Sequence, residues 1–464
     1  MFKSFTLKSL LAVVLGLLIC QPVYASDNIE IKIPQNCVDI HLPDTASYVL
    51  FLTSYKPTIT DTQKRIKVAS REDGRGLWAK KYYPGRFVGI CDHGVFMQDA
   101  FDVKLLDLKN GNEITKFNHI PCYVDDANDI VIGVRGSNCD KLAGYRLSTG
   151  EKLWEKKIGK NYGLEWNVIS RPDPSTIIFQ SDYLGKIDIF SGEMTVYPLK
   201  NVTHDMKKSL GESALASGIG ILGGLLTGFY AINVVMVYNV GFGSEAMMDE
   251  NGLIYVYDAD KIACLDSELK ELWQTPLPNG AGSRGELHFR GDTIHMLNYG
   301  CIGAPETGIK KGKPFMASFN RATGECHKWD FLPEKWDEGE FGKTLNFVTG
   351  PVFVHDGSSD NNYSSLEIPS GCCLIKNTGN DVLIVDSDLN VFGKYDSGDV
   401  HLTMAELPDG YVIRTQSDTP SYIRITADGK VGEVYDSATT GIMLRNNRLV
   451  RKSGNMLTVT DLTD

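Results

Sequence analysis

One short pattern recurs along the chain and constrains its fold more than any other feature: a strand runs into a tight turn, and a second strand follows with a bulky aromatic near its start. The clearest copy is Gly144-Tyr145-Arg146-Leu147-Ser148-Thr149-Gly150-Glu151-Lys152-Leu153-Trp154, in which Trp154 lies four residues after Gly150. Val68 to Trp78 repeats it around Asp73-Gly74, Leu105 to Thr115 around Asn110-Gly111, and Lys186 to Val196 around Ser191-Gly192. Ser318 to Trp329 turns at Thr323-Gly324 with the tryptophan one residue late, and Ile425 to Glu433 turns at Asp428-Gly429. Asp266 to Trp273 and Asp386 to Phe392 share a variant turn that lacks glycine. A hairpin corner needs a residue that accepts positive φ, which glycine does without steric cost. The tryptophan or phenylalanine that follows is large enough to fasten one sheet to the next by apolar burial.

Turn-to-turn spacings of 37, 39 and 42 residues for the first four units, and 40 for the last two, match a four-stranded unit. The 77 residues from Gly192 to Leu269 signal an insertion, and the 55 and 65 on either side of Gly324 signal longer loops. The expected fold is all-β: one domain from residue 26 to 464, a β-propeller of about eight four-stranded blades, with seven as the alternative. Closure is expected to pair Met456 to Asp461 with the first blade or with Ile29 to Ile33, which removes exposed sheet edges.

The copies resemble the Ala-x-Asp-x-x-Thr-Gly-x-x-x-Trp repeat of pyrroloquinoline-quinone-like β-propellers, over nearly the whole chain. The resemblance implies a fold, not a function, because that superfamily includes quinone-dependent dehydrogenases as well as non-enzymatic scaffolds such as the outer-membrane assembly lipoprotein. It is closest in type to the non-enzymatic members.

The first residues have the three parts of a secretory signal: Lys3 and Lys8, an apolar run from Leu10 to Ile19, and the small-residue site Val23-Tyr24-Ala25 before Ser26. Cleavage is expected after Ala25, with export to the periplasm or the outer membrane. Lipoprotein processing at Cys20 is disfavoured by Ile19, which stands where a small side chain is needed. A net charge of −11 disfavours a nucleic-acid surface, which needs clustered Lys and Arg. Of 10 cysteines, loss of Cys20 leaves an odd number, so at least one is unpaired. Cys122 with Cys139 is the preferred disulfide, and Cys301 with Cys326 a weaker second pair.

Residues 205–242 form an apolar, Gly-rich insertion. No charged residue occurs from Ser213 to Ser244, and Ala216, Gly220, Gly224 and Gly228 recur every four residues. On a helix that spacing makes one smooth stripe that another backbone can approach closely. The expected arrangement is a helix from about Met206 to Phe229 returning through a strand-like Ala231 to Val240. Its glycines would cost a soluble helix roughly 4 to 5 kcal/mol, to be offset by packing on the protein itself, on a partner, or in lipid. Gly218-Ile219-Gly220-Ile221-Leu222-Gly223 imitates a dinucleotide fingerprint but lacks the strand that must precede it.

Chemistry-bearing motifs are sparse. Cys372-Cys373 invites comparison with the vicinal disulfide of quinoprotein alcohol dehydrogenases, yet it falls in a late blade. Asp386-Ser387-Asp388-Leu389-Asn390 opens like a calcium loop, but Val391 stands where glycine is required. Asp356, Asp360, Asn361 and Asn362 are oxygen-rich and fit a solvated loop. Neither a zinc pattern nor a nucleophile elbow is present. The reading is a non-catalytic exported propeller that recruits a protein partner in the envelope or touches the membrane through residues 209–241, with no cofactor expected. The alternative is a quinone-dependent dehydrogenase using pyrroloquinoline quinone with calcium in a central funnel.

Overall fold

The apolar residues alternate over short runs bounded by glycine, asparagine and aspartate, and the chain answers with strands throughout. A computed structural model describes residues 29–461 except for connecting stretches, the longest being 54–64, 159–165, 200–245, 278–284, 332–345 and 356–362. Among the described residues there are only strands, turns and bends, with no helix. The Gly-rich insertion, with Ala216, Gly220, Gly224 and Gly228, and the signal segment both lie outside the described residues.

Eight four-stranded antiparallel sheets, one of six strands and one of two make up these residues. In chain order, sheet 1 spans 37–81, sheet 2 spans 87–117, sheet 3 spans 120–157, sheet 4 spans 167–198 and sheet 5 spans 247–276. Sheet 6 spans 285–331 and carries the two-stranded ribbon on one of its connections, and sheet 7 spans 346–395. Sheet 8, built on strands between 400 and 436, gains two strands, Val352–His355 and Tyr363–Ser365, from the first connection of sheet 7. Sheet 9 takes its first three strands from 440–461 and its fourth, Ile29–Lys32, from the other end of the chain.

Eight turn copies thus meet nine large sheets. The sheet without a copy is sheet 9, where Ile29 pairs with Val459 and Lys32 with Met456 in antiparallel register. Its fourth strand is supplied from the opposite end of the chain, so no Gly-x-x-x-Trp turn joins it to the third. Closure by pairing of the two ends is as expected.

Consecutive sheets pack face to face. Leu50, Ile66 and Val68 of sheet 1 meet Val95, Leu106 and Leu108 of sheet 2, and equivalent clusters join 2 to 3, 3 to 4, 4 to 5, 5 to 6, 6 to 7 and 7 to 8. Ile31, Leu457 and Val459 of sheet 9 meet Val49 and Phe51 of sheet 1. A run of sheets packed one on the next from sheet 9 through sheet 1 to sheet 8, with the two chain ends paired in one sheet, is the arrangement of a β-propeller. Middle strands buried on both faces, such as Ile254–Tyr257 and Val382–Val385, read as continuous apolar runs. Outer strands such as Lys152–Lys157 face water and carry charge.

Candidate functional site

The repeat places its glycine in the left-handed region, with φ of 67 to 83° at Gly74, Gly111, Gly150, Gly192, Gly324 and Gly429. In three wedges the reason is steric. A Cβ on Gly111 would lie 2.7 Å from the Trp78 ring, on Gly192 2.6 Å from Trp154, and on Gly324 2.3 Å from Trp273. Each tryptophan therefore reaches forward and lies on the turn of the following sheet. The indole N–H of Trp78 donates to the Leu108 carbonyl at 2.8 Å, and that of Trp154 to Ile189 at 2.9 Å.

The variant turns solve the same problem from the other side. Leu269 and Leu389 stand where glycine stands elsewhere, both at φ 61°. A left-handed leucine costs about 1–2 kcal/mol of backbone strain, which burial of its side chain, worth about 1.5–3 kcal/mol, offsets. Leu269 packs with Ile178 and Leu184 of sheet 4, whose outer strand turns Val196 back toward sheet 3 and Tyr197 forward. Leu389 packs with Leu297 and Met316 of sheet 6, whose tryptophan position is Lys328. Five wedges are thus closed by a tryptophan from the sheet before or by a leucine from the sheet after.

Two aromatics assigned to this role do not fill it. A β-bulge beside the turn sets the phase, pairing Val68 with Trp78, Gly144 with Trp154, Ser318 with Lys328 and Ile384 with Gly393. Because side chains alternate between faces, one residue either way reverses the direction. Trp329, one residue late, turns back into the cluster between sheets 5 and 6 beside Phe315. Phe392, one residue early, points to solvent and is 66% exposed. The wedge between sheets 7 and 8, with Gly393 and Gly429 at the two positions, is occupied by the added strand: a Cβ on Gly429 would meet the Tyr363 carbonyl at 2.0 Å. Between sheets 9 and 1, Gly74 lies on Ile31.

Between sheets 2 and 3 neither a tryptophan nor a leucine stands at the two positions. Thr115 replaces tryptophan and Gly150 keeps its glycine, touching the Thr115 hydroxyl. Beside them opens a cavity of about 270 Å³ lined by Asp102, Lys116, Phe117, Asn118, Tyr145 and Lys152. Phe117 and Tyr145 form its floor, their rings edge to face with centroids 5.4 Å apart. The Tyr145 hydroxyl is 2.5 Å from Asn118 Oδ1 and 2.5 Å from His119 Nδ1, and these two atoms are 2.7 Å apart. One proton arrangement satisfies all three contacts: Tyr145 O–H donates to Asn118 Oδ1, and His119 Nδ1–H donates to that same oxygen and to the phenol oxygen. Asn118 is then fixed by its carbonyl end, and its amide N–H groups remain to donate. His119 is buried and its Nε2 has no partner. Burial holds the His119 imidazole neutral, its pKa lowered to about 4, and burial pushes the Tyr145 phenol up to about 12. At the rim, Lys116 pairs with Asp102 at 2.6 Å and Lys152 with Glu155 at 2.8 Å.

Other polar clusters are structural staples between sheets. His93 Nδ1 meets Asp126 at 2.6 Å across sheets 2 and 3. The Arg171 guanidinium pairs with the buried Asp125 across sheets 3 and 4. Burial alone would raise the Asp125 pKa, but hydrogen bonds from Asn128 and Arg171 outweigh it and hold the carboxylate low. Arg321 bonds Asp249 at 2.7 Å and Glu250 at 2.6 Å across sheets 5 and 6. All three lie at the first or third connection of their sheets. In an up-and-down sheet those connections share one end, while the second connections and the links between sheets share the other. The turn face is thereby stitched together, and the opposite face carries most of the long connections, including both ends of 200–245.

Among the described residues, those that the quinone reading singles out do not come together in one site. Cys372 and Cys373 are buried free thiols on opposite faces of sheet 7, one packed toward sheet 8 and the other toward sheet 6. Asp386 spends its carboxylate on its own turn, accepting from Asp388 N at 2.9 Å and Asn390 N at 2.8 Å. Among the described residues no three His, Cys, Asp or Glu side chains converge as a metal site. Asp356, Asp360, Asn361 and Asn362 lie outside the described residues, as does Cys139. Cys122 donates to the Ile132 carbonyl at 3.4 Å. Cys326 is a free thiol aimed at the Lys328 carbonyl, so it forms no bridge to Cys301.

No protein-family model matches the chain, and no curated protein matches it. Among solved structures it is similar to BamB from Moraxella catarrhalis, at 12% identity and TM-score 0.37, over 81% of this chain and 95% of that one. It is also similar to the quinohemoprotein alcohol dehydrogenase ADHIIG from Pseudomonas putida HK5, at 10% identity and TM-score 0.34, over 94% and 76%. A third is the WD40 domain of SCAP from fission yeast, at 8% identity and TM-score 0.37, over 94% and 98%. Likenesses of this strength carry no functional argument.

Proposed function

We propose that this chain is an exported, non-catalytic propeller that binds a protein partner in the cell envelope through the face bearing the long connections. The observation that supports this reading is the inequality of the two faces. Tight turns and ion pairs between sheets tie down one, whereas segments such as 159–165, 200–245, 278–284 and 332–345 all leave from the other. Long connections on a rigid scaffold are where recognition residues concentrate. Residues 209–241 are the part of this face proposed to touch the partner or the membrane. Among the described residues no helix is long and apolar enough to cross a bilayer. In the proposed form the mature chain starts at Ser26.

The test is site-specific photo-crosslinking in intact cells, with the reactive residue at Asp399 on the long-connection face or at Ser191 on the turn face. A discrete adduct from position 399 that disappears when Ser209 to Gly241 is deleted supports the reading. Equal adducts from both positions, or an adduct indifferent to the deletion, defeat it. Amino-terminal sequencing of the periplasmic protein checks the processing site.

A further inference from the structure

We propose that the cavity between sheets 2 and 3 is a binding site for a small carboxylate of sugar-acid or amino-acid size, separate from the partner face. Three observations point to one ligand class. First, the space lies beside a small pair of the repeat: Thr115 stands for tryptophan and packs on Gly150, and next to them about 270 Å³ stays open. That is just below the usual range of small-molecule sites, roughly 300–1,000 Å³.

Second, the donors converge. Lys116 and Lys152 stand on the rim, half exposed at 50% and 47%, while Arg135 and Lys141 lie close enough to act on His119. Against these four cations stand Asp102 and Glu155, so the neighbourhood is positive on a chain whose net charge is −11. Asp102 and Glu155 already hold the two ammonium groups with carboxylate oxygens at 2.6 and 2.8 Å. A ligand carboxylate would meet those groups with the same geometry.

Third, a buried polar network fixes the donor between them. Tyr145 and His119 both bond the carbonyl end of Asn118, and this aims its amide end at the ligand. Fastening a single amide with a buried tyrosine and a buried neutral histidine is more than the sheet contact requires, and such networks fix one orientation. Tyr145 and His119 are positioning residues in this scheme; Asn118, Lys116 and Lys152 touch the ligand.

Calorimetry on the mature chain, at low ionic strength, tests this with glucuronate as the probe, glucose as the uncharged comparison and glucose 6-phosphate as the other oxyanion. Expected are saturable binding of glucuronate and none of glucose. Lys116→Gln with Lys152→Gln should raise Kd at least tenfold, whereas Lys394→Gln, a lysine equally exposed on sheet 7, should change it less than twofold. Tyr145→Phe keeps the ring and frees the Asn118 amide to rotate. It should raise Kd several-fold with the charge, and so the salt dependence, unchanged. Equal binding of glucose, binding of the phosphate alone, unaltered binding by the double lysine variant, or no saturable binding overturns the assignment. Crosslinking of the partner face is unaffected by any of these results, so the two readings fail separately.

Discussion

The wedge between sheets 3 and 4 and the wedge between sheets 2 and 3 are built from the same repeat and end up opposite in character. In the first, the Trp154 indole covers Gly192 and donates to Ile189, so a large apolar group and one satisfied N–H close the space. In the second, Thr115 packs on Gly150 and a cavity opens beside it, lined by Asn118 and Tyr145, with His119 bonded behind them. A propeller tolerates such an exchange because each wedge is closed locally, by whichever neighbour supplies volume. Stability belongs to the filled wedges, and chemistry becomes available where filling lapses.

The contrast is broken most directly at Trp154. Trp154→Ala should cost about 3 kcal/mol, for a half-buried indole that also loses a hydrogen bond, read as a lowered urea midpoint with unchanged m. A cost below about 1 kcal/mol would mean that the tryptophans do not hold the sheets together. Acid should act next. Burial lowers His119 and His288 to about 4, whereas in the unfolded chain each takes a proton below about 6.5. The unfolded state therefore binds more protons, and stability present above pH 6.5 is lost as pH falls through 4. The loss should be on the order of 3 kcal/mol for each histidine. His119→Gln should flatten the slope by about one proton, and a slope that does not change would show that the polar wedge is not a site of this uptake.

Smaller effects sharpen the comparison. Leu269→Gly removes left-handed strain and buried side chain together, so the two terms nearly cancel and a net loss of about 1 kcal/mol is expected. A gain in stability would show that this leucine does not close its wedge. Thr115→Ala, where no indole is present to lose, should cost less than about 1 kcal/mol by the same urea titration.

Much of this was legible in the residues. Glycine at a turn of fixed length announces positive φ, and tryptophan four residues on announces a filled wedge; both readings hold for Gly111 with Trp78, Gly192 with Trp154 and Gly324 with Trp273. Pairing of Met456–Asp461 with Ile29–Lys32 follows from the need to close an edge. Direction was not legible. Trp329 and Phe392 are aromatics of the expected kind on the wrong side of the strand, because a bulge beside the turn sets the phase and bulges leave no composition of their own. The ninth sheet was hidden because its fourth strand comes from the far end of the chain, leaving no turn to count. The open wedge had one visible signal, threonine at 115 where three sister copies carry tryptophan. Its meaning depends on what the facing turn offers, and that is a fact about two distant segments in contact.

The central claim is that volume supplied by one neighbour closes a wedge, and the direct measurement is the unfolding free energy and structure of Thr115→Trp. The account predicts a protein at least as stable as the parent, with the new indole on Gly150, its N–H on the Leu147 carbonyl, and the cavity gone. A loss of 2 kcal/mol or more, with the indole turned out to solvent, would contradict it.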